Sequence, residues 1–117
     1  MGLFQGCSPG FWGNEDNVDL WVGFTPDQDY DTVFGVDFFV LDRTLFEALN
    51  EGGGGLDALG RQSVAALLNA ANPNINYPYT VDEVIALVQS IDPTVSQEVE
   101  DLKDLFEGFN ELGSPIC

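Results

Sequence analysis

The chain contains no histidine and only three basic residues, Arg43, Arg61 and Lys103, against twenty acids. Without histidine, no side chain shuttles protons near neutral pH at its ordinary pKa. Without clustered Lys and Arg, nucleic acid and anionic membranes are poor partners, because both are bound through such clusters. Apolar runs are short: none approaches the roughly 18 residues of a membrane span, so membrane insertion is not expected. Cysteine is scarce too, with Cys7 and Cys117 near opposite ends of the 117 residues. A metal site would need more than two distant thiols, and there is no C-x-x-C. A redox pair, two buried thiols or one staple remain, and the staple is the favoured reading. It would close a loop on the order of a hundred residues, remove about 4–5 kcal/mol of unfolded-state freedom and imply an oxidising compartment. No leader peptide is legible, so export implies one already removed.

What is present points to one folded domain. An apolar content of 44%, with nine Phe, excludes a disordered tail despite a net charge of −17, since disorder needs low hydrophobicity as well as high charge. A chain of this size buries roughly two-thirds of its unfolded surface around a single core. So strong a charge imbalance repels itself at low ionic strength and is best tolerated where salt screens it. It reads as adaptation to high salt, with an exported acidic protein of ordinary seawater as the alternative.

The stretch Arg61 to Pro73, RQSVAALLNAANP, lies in a region free of charge from Gln62 to Val81. Val64, Leu67, Leu68 and Ala71 form one helical stripe, and Ala65, Ala66 and Ala70 keep the other faces thin. This predicts a central helix covered on most sides and stopped at Pro73. Thr44 with Glu47, Thr80 with Glu83 and Thr94 with Gln97 predict three capping boxes, each opening a helix. The last helix should turn Val99, Leu102, Leu105, Phe106 and Phe109 inward, with Gly113 as its C-terminal cap. Gly52 to Gly55 predict a hinge or a tight backbone crossing. They lack the G-K-[ST] and G-x-G-x-x-G patterns of phosphate loops. The run VFGVDFFVL up to Leu41 reads equally as a short strand or an irregular lid.

Two acidic clusters precede this part. Asp27, Asp29 and Asp31 imitate the opening of an EF-hand loop, but Thr32 stands where that loop needs Gly and Phe38 where it needs Glu. Glu15, Asp16 and Asp19 form the second cluster. A calcium-responsive binding domain using these loops is the alternative function. Neither serine nor cysteine lies in a nucleophile context. Among twenty acids, some pair will meet glycosidase spacing by chance. No catalytic residue, metal or cofactor is expected.

Taken together, CSPGFWGN near the start, GGGG, AALLNAA, a tyrosine-proline link, V-I-A-L-V and a closing N-x-x-G-x-P-x-C resemble a domain of exported and cell-surface proteins of bacteria and archaea. The resemblance covers Cys7 to Cys117. Gly13 stands where a Lys is common, and Ser114 where a cysteine can occur. The resemblance implies an extracellular setting and a recurring module, without an activity. The expectation is therefore a mainly α, single compact domain of about four helices, with an aromatic, loop-rich N-terminal segment packed over them. Residues 1–6 read as an extension and 7–117 as the domain. Trp12 and Trp21 read first as core anchors; with Phe11 they are also the candidate contacts of a non-catalytic module that meets other surface proteins or itself.

Overall fold

A computed structural model describes residues 3–117. The described residues form six α-helices and one 3-10 helix. Among the described residues there is no extended strand, and two isolated backbone bridges, Gly6 with Gly113 and Asp29 with Thr44, are the only β pairing. The helices are α1 (Pro9–Trp12), the 3-10 turn Glu15–Leu20, α2 (Tyr30–Phe34), α3 (Leu45–Asn50), α4 (Gly55–Ala71), α5 (Val81–Ser90) and α6 (Ser96–Asn110).

The central helix is α4. From Ala58 to Asn69 only Arg61 is not buried, and α1, α3, α5 and α6 all pack on it. A helix without a solvent face must be apolar or small all round, as the alanines and leucines of this stretch are. Gly60 marks one tight approach: a Cβ there would lie 3.2 Å from the Phe39 ring. Two of the three predicted capping boxes form. The Thr44 hydroxyl accepts from the Glu47 amide at 3.0 Å and the Glu47 carboxylate from the Thr44 amide at 2.8 Å. Thr80 and Glu83 repeat the exchange at 3.2 and 2.9 Å.

The third box does not form. Asp92 captures both the amide and the hydroxyl of Thr94, at 2.9 and 2.7 Å. This local turn competes directly with the cap, so α6 begins one residue later on Val95, which has no capping side chain. On α6, Val99, Leu102 and Phe106 are buried and Phe109 is half-buried, but Leu105, expected inward, is exposed. Gly113 does not cap this helix either; Glu111 does. Gly113, at φ +87°, instead pairs with Gly6, their amides and carbonyls exchanging bonds of 3.2 and 2.9 Å.

That pairing draws the start of the chain into the domain. Gly6 is buried, and the Gln5 amide donates to the Asn76 carbonyl at 2.9 Å, while Leu3 and Phe4 are exposed. The N-terminal third is loop-rich, as expected, and its loops are interrupted by three short helices. Ser8, Asn14 and Asp29 each accept an amide at the start of one, and Pro9 is pre-set for a first helical position. In the glycine run a Cβ at Gly52, Gly54 or Gly55 would meet nothing, so no backbone crosses closely there. Gly53 and Gly55, at φ +99° and +58°, supply the left-handed turn that delivers α4.

Candidate functional site

The disulfide lies beside the Gly6–Gly113 pairing. Cys7 and Cys117 are bonded, with Cα atoms 5.9 Å apart and a sequence separation of 110. Beside the bond lies a cleft of about 250 Å³ whose lining includes Ser8, Phe11, Asn110 and Glu111. Of the candidate contacts, Phe11 borders this cleft, half-buried and edge-on to Trp12 at 5.0 Å. Trp12 is fully buried and offers a partner no surface; it is a core anchor. Trp21 is half-buried, its indole donating to the Trp12 carbonyl at 3.3 Å. The tryptophans thus brace the core, and of the trio Phe11 alone lines the cleft.

Beneath the cleft lies a polar network that packing patterns alone do not reveal. Asn69 on α4 and Asn110 on α6 are both buried. The Asn69 amide group donates to the Cys7 carbonyl at 2.9 Å and to the Asn110 side chain at 3.0 Å. Its carbonyl oxygen accepts from the Cys7 amide at 2.8 Å and the Trp12 indole at 3.0 Å. Asn110 accepts from the Tyr77 hydroxyl at 2.7 Å and donates to the backbone and side chain of Gln62. No buried side-chain donor or acceptor among the described residues lacks a partner. The network fixes Cys7 from both sides of its peptide, independently of the sulfur bond. Its signal in the sequence is one asparagine inside AALLNAA, where an unpaired amide would be costly.

The acidic loops diverge. Asp27 accepts from the Thr25 hydroxyl, Asp29 caps α2 through Thr32, and Asp31 accepts from the amides of Phe38 and Phe39 at 3.2 and 3.3 Å. No group of three potential metal ligands converges among the described residues. The basic residues are engaged within the chain. Arg43 meets Asp57 at 2.9 Å and covers the Phe39 ring at 3.7 Å. Arg61 donates to the Glu51 carbonyl. Lys103 reaches Glu100, Asp104 and Glu107 within 3.0, 2.7 and 3.6 Å, and its bonds to Asp104 and Glu100 raise its pKa. Hydrogen bonds from Thr94 lower that of Asp92. Burial pushes Tyr30 and Tyr77 above the ordinary tyrosine range.

Two apolar features stand on the surface. Tyr79, Glu83, Ala86 and Leu87 line an open groove of about 290 Å³ along α5. In the loop between α2 and α3, Val40 and Leu41 are 102% and 81% exposed. No helix among the described residues is long and apolar enough to cross a membrane. No protein family, curated protein or solved structure matches this chain.

Proposed function

We propose that this protein is an extracellular or cell-surface structural and interaction module, non-catalytic and adapted to high salt. The carrying observation is the bond between Cys7 and Cys117, because cross-links of this kind persist in oxidising compartments and are rare in the cytosol. The resemblance of its motifs to an exported domain supports the same placement. Adaptation to salt rests on the net charge of −17, with all three basic side chains occupied by partners in the chain. Its partners are other surface proteins or further copies of itself, met through apolar side chains on an acidic surface. The cleft beside the disulfide has Glu111 as its one ionisable side chain, a poor basis for acid–base chemistry, which uses positioned groups of matched pKa.

Alkylation of intact cells, followed by fractionation and mass analysis, tests the reading. The expected result is protein outside the cytoplasm with no alkylated thiol. Cytoplasmic protein alkylated at both cysteines would sink it.

A further inference from the structure

The two halves of the disulfide are held unequally. Cys7 is 1% exposed, its peptide is bonded on both sides by the Asn69 side chain at 2.8 and 2.9 Å, and Gly6 before it exchanges backbone bonds with Gly113. Cys117 is exposed. The hydrogen bonds made by backbone amides of residues 114–117 stay within that segment: the Cys117 amide donates to the Ser114 carbonyl at 3.1 Å and the Ile116 amide to the Ser114 hydroxyl at 3.4 Å. The Cys117 sulfur comes within 3.8 Å of the Gly6 carbonyl, but a bonded sulfur has no proton to donate. Ile116, half-buried, packs on the core. One partly buried aliphatic side chain does not offset the entropy lost in ordering four residues, so the sulfur bond is what holds this segment down.

We propose that the disulfide is the latch of a strap: its reduction releases residues 114–117 while the rest of the domain keeps its fold. The reductant is a dithiol, and the reaction is a double exchange. One of its thiolates enters by the cleft beside the bond and attacks the Cys117 sulfur, since burial hinders attack at Cys7. A mixed disulfide forms, the Cys7–Cys117 bond breaks, and its electron pair leaves on Cys7, which takes up a proton. The second thiolate of the reductant then closes on the first sulfur and expels Cys117, which is protonated by solvent. Two electrons have passed: the reductant ends as a disulfide and the protein as two thiols.

What moves and what stays follows from the anchors. Cys7 remains where Asn69 holds it, and the Gly6–Gly113 pairing remains as the root of the strap. Gly113, at φ +87° and with open space where a Cβ would stand, is the pivot. Cys117 is one wall of the cleft, so its departure widens the cleft toward Phe11 and Cys7, which also line it. Reoxidation closes the strap again, because one of the two sulfurs never leaves its place. This device goes beyond the placement of the protein outside the cytoplasm and does not depend on it.

The test opens the bond in the native 117-residue chain with dithiothreitol at 2 M KCl, with alkylation and intact mass to confirm two thiols. Near-UV circular dichroism from the buried Trp12 and Tyr30 should persist after reduction. In 15N relaxation, the order parameters of Ile116 and Cys117 should fall from about 0.85 to below about 0.6, while those of the α4 amides stay near 0.85. Cys117→Ser, which removes the bond without a reductant, should reproduce both results. Loss of the near-UV signal on reduction or in the variant would make the bond a staple of the whole fold and overturn the proposal. So would a segment that stays rigid once reduced, or a bond that dithiothreitol opens only when the domain unfolds. Where the protein is found in the cell has no bearing on these outcomes.

Discussion

Asn69 ties several parts of this molecule together through one buried side chain. Its side chain makes four hydrogen bonds that join the Cys7 peptide, Trp12 and Asn110. Replacement by leucine would keep the volume and leave several buried donors and acceptors unpaired. Each such group costs about 1–3 kcal/mol, so Asn69→Leu should lower the unfolding free energy by at least about 3 kcal/mol in urea titration. The tyrosines give a pH signature. Tyr30 and Tyr77 are held neutral by burial, their folded pKa values above the ordinary 10.0. A raised folded value means the native state keeps a proton that the unfolded chain releases. Their contribution is thus complete below pH 10 and declines as pH rises beyond it, at up to about 1.4 kcal/mol per pH unit for each tyrosine. Tyr30→Phe leaves Ser63 its bond to the Gly60 carbonyl, and Tyr77→Phe leaves Asn110 its bond from Asn69. The double variant should therefore fold and lose most of this alkaline decline, as followed by denaturation between pH 8 and 12.

At the scale of elements, legibility depended on whether a signal had a local rival. The central helix, the capping boxes of α3 and α5 and most of the inward face of α6 were readable because period and cap point the same way. The start of α6 was misread because Asp92, two residues before Thr94, accepts the same hydroxyl that would have capped it. Val95→Thr would place a hydroxyl at the uncapped position and should raise stability by roughly 0.5–1 kcal/mol, visible as a higher thermal midpoint. Gly113 looked like a helix cap because glycine with positive φ is common there; its real partner, Gly6, is far away in sequence. The two glycines separate steric from conformational need. A Cβ at Gly6 would lie 2.2 Å from the Phe109 carbonyl oxygen, whereas one at Gly113 would meet nothing. Gly6→Ala should thus destabilise the domain by more than about 2 kcal/mol through backbone displacement, and Gly113→Ala by about 1–2 kcal/mol through φ alone. The candidate site was less legible than the fold. Phe11, named from the sequence, lines the cleft beside the disulfide, but Val40, Leu41 and the α5 groove left no signal there. Exposure of an apolar pair is decided by distant anchors such as Asp31 and Asp57, which leave no periodic trace.

For the whole molecule, the unresolved tension is between a small core and a shell that carries −17. Ion pairs do not relieve it, since −17 is what remains after all three basic residues are counted against the twenty acids. Screening does: the Debye length falls from about 10 Å at 0.1 M salt to about 3 Å at 1 M. The melting temperature should therefore rise with KCl, on the order of 10 °C between 0.1 and 2 M. Salting-out of apolar surface would also raise it, but that effect depends on ion type and on exposed apolar area, not on protein charge. Asp19→Asn, Asp37→Asn and Asp42→Asn, combined, separate the two causes. These carboxylates are exposed and make no ion pair with the three basic residues, so the fold should survive their loss. If charge repulsion governs stability, the triple variant melts higher than the parent at 0.1 M KCl and approaches it at 2 M. Equal melting temperatures at both concentrations would show that the acidic shell imposes no salt requirement on the fold, and that its charge serves solubility alone.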